Sequence, residues 1–394
     1  MRERLTVEAS TPADRPRALL VGRVWKPGPD GGPCVVAVRG DRVVDLTQAF
    51  PTMADLLDAA DAGTMRSRIA SAPDLCGLAD LLANSAEDAR TPAFPWLLAP
   101  CDLQAIKASG VTFAASMLER VIEERARGDA TQALDIRKTV TGILGDDLSK
   151  LKPGSDAAMR LKAALIERGM WSQYLEVGIG PDAEIFTKAP AMAAVGHGAS
   201  IGIHPKSSWN NPEPEIVLAV NGRGDTVGAT LGNDVNLRDV EGRSALLLGK
   251  AKDNNASCAI GPFIRLFDDG FGIDDVRSAT ITLVVEGPEG FRMEGSSSMA
   301  RISRDPLDLV AQTIGPNHQY PDGFMLFLGT MFAPVQDRGE KGMGFTHKLG
   351  DIVTIATPAL GRLVNRVTTS DKAPRWIFGA RALMKNLAAR GLLR

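Results

Sequence analysis

The sequence predicts an α+β protein with a small β-rich beginning and a larger β-dominated body. Three observations carry that reading. Short apolar runs broken by Gly and Asn/Asp turns recur through residues 17–47 and 215–358, helical period is confined to a few stretches, and strand-helix alternation at βαβ spacing is missing. Without a GxGxxG either, a doubly wound nucleotide fold is disfavoured. The 394 residues carry 45 Lys+Arg against 47 Asp+Glu, a formal charge of −2, with 44% hydrophobic and 23% charged residues. Such a length suits two or three domains at about 150 residues each, and the balanced charge offers no basic field for nucleic acid. A small molecule is the expected ligand.

Taken in order, RALLVGRVW, CVVAVR and RVVDLT flank Gly40-Asp41 as a hairpin would. MADLLDAADA (53–62) and PDLCGLADLLANS (73–85) show helical period, and TPAFPWLLAP (91–100) interrupts it, so a boundary is placed near residue 100: a small N-terminal domain over 1–100 and a larger domain over 101–394. The stretch 112–128 has amphipathic spacing, with Phe113, Met117 and Val121 in one stripe, Glu123, Glu124, Arg125 and Arg127 among its polar positions, and Gly128 as a stop. A second helix opens on Ser155 as N-cap and closes on Gly169. EIVLAV (215–220), the turn Asn221–Asp225 and TVGATLG (226–232) read as a half-buried hairpin; ITLVVEG (281–287) and DIVTIATP (351–358) add strands. The basic amphipathic tail after Pro374 is expected to dock on the body or on a neighbouring subunit.

Cys34, Cys76, Cys101 and Cys258 stand far apart with no CxxC pair, which argues against a disulfide framework and a cysteine-built zinc site. A polar N-terminus without an apolar run behind it, and no window near the roughly 18 apolar residues of a membrane span, lead us to expect a soluble cytoplasmic protein with no membrane partner.

The densest polar cluster in a β region runs from Ser207 to Glu215 and enters EIVLAV directly. Glu213 and Glu215, two apart on an extended chain, leave the sheet on one side and repel unless a cation lies between them. A hard oxygen-seeking ion such as Mg²⁺ suits them, and Asp234 after the partner strand can supply a third ligand if 215–232 folds back. The same spacing also suits a solvated strand edge. Lys252 follows; a lysine partly desolvated near a metal can have its pKa lowered and serve in proton abstraction beside a carbonyl. Gly198-Ala-Ser200-Ile-Gly202 matches the G-x-S-x-G elbow literally, with His197, His204, His318 and His347 as bases, but Pro205, Pro212 and Pro214 forbid the helix that motif requires next.

In sequence order, LLAP (97–100), Gly110 to Ser116, Pro212-Glu213-Pro-Glu215, Gly232-Asn-Asp234 with Arg238-Asp239, Lys252, Gly261-Pro262 and Leu349-Gly-Asp351-Ile-Val resemble the fumarylacetoacetate hydrolase superfamily over roughly residues 97–360. The resemblance implies a mixed β-roll or barrel catalytic domain behind a smaller N-terminal one, with Mg²⁺ (or Mn²⁺) held by Glu213, Glu215 and Asp234, and Lys252 in the same pocket. Hydrolases of the superfamily carry G-x-N-Y-x-x-H-x-x-E on the helix that lids the site; here Gly110, Thr112, Phe113, Ser116 and Glu119 occupy those positions, so the histidine is replaced by Ser116 while the glutamate survives. GFMLFLGTMFAP (323–334), SSWNNPEPE and SCAIGPF look like the 2-keto-3-deoxy-pentonate dehydratase branch.

That branch implies removal of a C3 proton from a metal-chelated 2-keto-3-deoxy-pentonate (arabinonate or xylonate type), loss of the C4 hydroxyl and tautomerisation to 2,5-dioxopentanoate, within oxidative pentose catabolism. On this reading Lys252 is the C3 base or enolate-stabilising group, Glu119 the acid at C4, and Ser116, Ser207, Ser208 and Thr330 contact substrate. The alternative within the same scaffold is a metal-dependent hydrolase of a β-diketo acid. A homodimer or homotetramer is expected from the resemblance.

Overall fold

EIVLAV and TVGATLG do form a hairpin, and the molecule is built around it. The strands are β1 (Leu20–Lys26), β2 (Gly32–Arg39), β3 (Arg42–Asp45), β4 (Asp74–Gly77), β5 (Trp96–Leu97), β6 (Ala105–Gly110), β7 (Glu184–Ala189), β8 (Ser200–Ile203) and β9 (Asn210–Asn211). They continue as β10 (Pro214–Val220), β11 (Thr226–Asp234), β12 (Asn236–Leu237), β13 (Cys258–Leu266), β14 (Thr280–Glu286), β15 (Arg292–Ser298), β16 (Phe324–Phe327), β17 (Ile352–Thr357) and β18 (Gly361–Thr369). The computed structural model describes residues 1–127, 129, 151–167, 169, 171–330, 334, 336–338 and 344–393, leaving aside the side chains of residues 114–116 and 118. The stop expected at Gly128 lies outside the described residues.

One eleven-stranded sheet runs β4-β3-β2-β1-β13-β11-β10-β16-β6-β7, with β5 beside β1. A second has the order β15-β14-β17-β18-β8, and β9 pairs with β12 in a short ribbon. Both large sheets are open paths, so the fold is α+β with open mixed sheets and the barrel alternative is set aside. Neighbours are antiparallel except β16 with β6 and β18 with β8. The N-terminal strands join the large sheet where β1 pairs with β13, Leu20 opposite Arg265.

The hairpin was expected to be half-buried; every residue of β10 is buried. Its two faces enter different cores. Ile216, Leu218 and Val220 pack with Leu283, Val285, Val353 and Ile355 of the second sheet, while Val217 and Ala219 pack with Leu56, Leu57 and Met65 from the N-terminal helices. A strand covered on both sides needs a continuous apolar run, which is what EIVLAV supplies. The 73–85 stretch divides: DLCG is strand β4, paired to β3, and only Leu78–Asn84 is helical, because an exposed edge of β3 recruits the first four residues. The tail helix Ala380–Ala389 docks on its own chain, through Leu383 and Leu387 with Leu103 and Phe378, and through Asn386 Nδ2 donating to Gly31 O at 2.8 Å. Among the described residues no helix is long and apolar enough to cross a membrane.

Above the open end of the hairpin lies the helix Ala114–Arg125, here the roof helix. Met117, Val121 and Ile122 bury against Leu175, Ile179 and Trp209, so its apolar stripe faces the helix Gln173–Ile179 and its polar positions are forced over the strand ends. Gly232, opposite Glu215, leaves no room for a side chain: a Cβ there would overlap the Phe327 ring and Val217. Gly232→Ala is therefore expected to cost about 1–3 kcal/mol in urea unfolding, and to lower ligand binding at the neighbouring Glu215 as well.

Candidate metal centre and active site

Glu213, Glu215 and Asp234 are all buried, and one ligand atom from each lies within 4.8 Å of the others. β10 and β11 place them: Glu215 stands opposite Gly232, and Asp234 N donates to Glu213 O at 3.0 Å, so the acidic pair at the start of one strand meets the acid at the end of its partner. Gly329 N donates to Glu215 Oε2 at 2.7 Å. Burial, then the carboxylates of Asp234 and Glu213, push the Glu215 carboxyl well above its usual range. For Asp234 burial acts upward, but Lys188 and Lys252 outweigh it and hold the group low. All-oxygen, anionic and crowded, this donor set fits a hard divalent cation such as Mg²⁺.

Lys252 Nζ contacts Glu213 and Asp234 Oδ2, the latter at 2.9 Å, and Lys188 Nζ lies 2.8 Å from Asp234 Oδ1. A lowered lysine pKa was expected here. Burial does act downward, yet Asp234 and Glu213 more than reverse it, so the Lys252 ammonium is held firmly protonated.

The roof helix adds charges that sequence reasoning named only as polar positions or, for Arg120, not at all. Arg120 ion-pairs with Glu213, with Glu123 Oε2 at 2.7 Å and with Glu241 Oε2 at 2.8 Å. Arg238 Nε binds Glu123 Oε1 at 2.7 Å, its Nη2 binds Glu119 Oε2 at 3.1 Å, and its guanidinium covers the Trp209 ring at 4.4 Å. Glu123 is 1% exposed; burial acts upward on it, but Arg120 and Arg238 prevail and hold its carboxyl low. The usable signal was present: Glu119, Arg120 and Glu123 share the face of the helix that carries Ser116.

Two carboxyls were missed altogether, Glu241 and Glu184. Glu184, on β7, stands opposite Gly110 and folds back over it, where a Cβ would collide with its carboxyl. Burial, then the carboxylates of Glu241 and Glu213, push it up to about 7 against the pull of Arg120 and Lys252. A carboxyl that changes hands near neutral pH is suited to moving a proton.

The other nominated residues are spread out. Glu119 is 13% exposed on its side chain, the most open of the roof-helix acids in these ion pairs. Ser116 lies on the same helix, its side chain outside the description. Thr330 is buried just beyond Gly329, beside Glu215. Ser207 Oγ donates to Asp239 Oδ1 at 2.8 Å and Ser208 N to Asp239 Oδ2 at 2.9 Å, so their contacts run to Asp239 rather than to the acidic triad. The serine elbow is not assembled. Ser200 is in strand β8 with its hydroxyl on Glu87 Oε1 at 2.6 Å, while fully buried His197 pairs with Ser10 Oγ at 3.0 Å and accepts from Val364 N. Burial pulls His197 down to about 3, which makes it a neutral structural group.

Residues 168–368 match the family model described as fumarylacetoacetate (FAA) hydrolase C-terminal, just over half of the chain. The chain belongs to the fumarylacetoacetate hydrolase family. Two curated relatives are a 2-dehydro-3-deoxy-D-arabinonate dehydratase of Saccharolobus solfataricus, 33% identical over 184 residues, and a probable 2-keto-3-deoxyxylonate dehydratase of Haloferax volcanii, 30% identical over 203. These alignments span 47% and 52% of this chain, and 58% and 66% of the relatives' own length. The fold is shared with a solved 2-keto-3-deoxy-D-arabinonate dehydratase complexed with magnesium and 2,5-dioxopentanoate, at TM-score 0.62 and 21% identity over 89% of this chain and 99% of that one. A fumarylacetoacetate hydrolase from Exiguobacterium antarcticum aligns at TM-score 0.54 and 16% identity, over 89% of this chain and 100% of that one.

Within this family scaffold the Arg238–Glu123 pair is a buried strut between the roof helix and the strand ends. Arg238→Met leaves the Glu123 carboxylate buried without one of its two cations and is expected to cost about 3–5 kcal/mol in denaturant unfolding at pH 7. Since the native carboxyl is held low, its stabilisation is complete above the unfolded value of about 4.3 and fades as pH falls below it. The gap between variant and wild type should narrow in the same direction.

Proposed function

We propose that this family member dehydrates a 2-keto-3-deoxy-pentonate to 2,5-dioxopentanoate, with Glu213, Glu215 and Asp234 holding a divalent cation, Mg²⁺ first and Mn²⁺ also admissible. One observation carries the reading: a buried acidic triad sits among proton-carrying carboxyls and lysines, while the roof helix has Ser116 where a water-activating histidine would stand. Both curated relatives bear dehydratase names, which supports it. Residues 101–394 are taken as the catalytic region, and residues 1–100 as an N-terminal unit whose strands extend its sheet.

When bound, the cation would neutralise the negative charge that builds on the C1 and C2 oxygens as the C3 proton leaves. Everything else falls to the chain. Lys252, held as an ammonium, stabilises the developing enolate rather than abstracting the proton. Glu184 takes the C3 proton, since its carboxyl is poised near 7. Glu119, the more open acid on the roof helix, protonates the departing C4 hydroxyl. Thr330 and Ser116 orient the substrate, and Ser207 and Ser208 support that wall through Asp239. Burial limits the water that could reprotonate the enolate at C3 before the C4 hydroxyl leaves.

Two outcomes test this. Purified protein with Mg²⁺ should form an aldehyde from the deoxy sugar acid, and Glu184→Gln should lower kcat by about 10²–10⁴-fold; cleavage of a β-diketo acid into two shorter acids with no aldehyde from the sugar acid contradicts the proposal. A base must be deprotonated to act, so kcat/KM should rise with pH along a limb centred at or below about 7, the value in the free site. That limb should be lost in Glu184→Gln.

A further inference from the structure

Residues 210–211 pair with 236–237 in the same antiparallel register that residues 214–215 keep with 232–233: Glu215 faces Gly232, Pro214 faces Asn233, Asn211 faces Asn236 and Asn210 faces Leu237. Between the two pairings Asp234 N donates to Glu213 O at 3.0 Å, and beyond them, where the helix Arg238–Glu241 begins, Asp239 N donates to Trp209 O at 3.1 Å. Val235 and Leu237 sink into the apolar core, so the period of two turns Asp234, Asn236 and Arg238 to the opposite side, across from Glu213, Asn211 and Trp209.

This side carries three rungs. At one end Glu213 and Asp234 belong to the acidic triad; at the other the Arg238 guanidinium stacks on Trp209 and reaches the roof helix. The charged groups of both end rungs have ion-pair partners, although Trp209 Nε1 lacks a hydrogen bond among the described residues. The amides of the middle rung are largely unpaired. Asn211 and Asn236 are 1% and 0% exposed, and among the described residues neither atom of the Asn236 amide nor Asn211 Oδ1 has a hydrogen-bond partner. Asn211 Nδ2 is satisfied locally, donating to Pro212 O at 3.0 Å. Native proteins rarely bury a whole carboxamide with nothing to bond it, and where they do, a functional explanation is owed.

We propose that the Asn211–Asn236 rung is the polar subsite that receives the hydroxyl-bearing end of the substrate, one rung from the carboxylates that position its keto-acid end. This rests on the function proposed above. Two residues along a strand span about 7 Å, within reach of a five-carbon acid held at C1 and C2. A carboxamide presents a donor and an acceptor side by side, which complements a hydroxyl group acting as both. With Asn211 Nδ2 already bonded, the rung offers one donor and two acceptors, a set that suits hydroxyls, which donate as well as accept, better than a carboxylate, which only accepts, so it favours a polyhydroxy monoacid over a diacid.

The test compares two reactions of the full-length protein with Mg²⁺: turnover of 2-keto-3-deoxy-pentonate, and deuterium uptake into the methyl group of pyruvate, which has a keto-acid end and no hydroxyls. Asn236→Leu, and the smaller, uncharged Asn236→Ala as a second variant, should raise KM for the sugar acid by about 10–100-fold. Pyruvate exchange should change less than threefold, so the ratio of the two rates falls. An unchanged ratio in both variants overturns the subsite. Wild-type protein inert towards both compounds overturns the proposed function, and the subsite with it.

Discussion

Three carboxylates forced together at the end of a buried hairpin are the constraint on which this molecule depends. Bringing like charges within a few ångströms inside a protein is costly, and the chain meets that cost with Lys252, Lys188 and Arg120 on Glu213 and Asp234 and with a backbone donor on Glu215. The compensation is incomplete. Linked around the triad are the carboxyls of Glu119, Glu123, Glu184 and Glu241, so carboxyls in the cluster outnumber the cations Arg120, Lys188, Arg238 and Lys252. Glu215, Glu241 and Glu184 all respond by rising above the usual carboxylate range. A divalent cation is the economical remedy for such an imbalance.

Rigidity follows from the same arrangement. β10 is packed on both faces, so the acids at its mouth cannot relax apart by moving the strand. The roof helix is tied to those strand ends by Arg120 and Arg238 as well as by apolar contact with Trp209, which gives the site a cover whose attachment over the acids is electrostatic. Function and stability therefore share residues: a change that loosens the struts also disturbs the acids beneath.

Much of this was legible in the sequence, for reasons that can be named. The period of two put Glu213 and Glu215 on one side and the Asn221–Asp225 turn returned Asp234 to them, while the resemblance turned that open spacing into a ligand set and supplied the family. What failed depends on contacts distant in the chain. Glu123 reads as a solvent position on an amphipathic helix, and only the arrival of Arg238 buries it. Lys252 was expected to lose basicity by desolvation, and two carboxylates reverse the sign. Glu184 shows nothing in its own neighbourhood to mark it, since its setting is made by Gly110 across the sheet and by Glu241. DLCG looked like the first turn of a helix because propensity cannot see the open edge of β3.

Calorimetric titration of Mg²⁺ into the wild-type protein and into Glu215→Gln, in buffers of different ionisation enthalpy at pH 7, tests the central claim most directly. The account predicts one ion per chain in the wild type, with protons released as the raised Glu215 carboxyl gives up its proton to the incoming charge, and at least a tenfold loss of affinity without that release in the variant. No heat of binding in the wild type, or equal affinity in the two proteins, would contradict it.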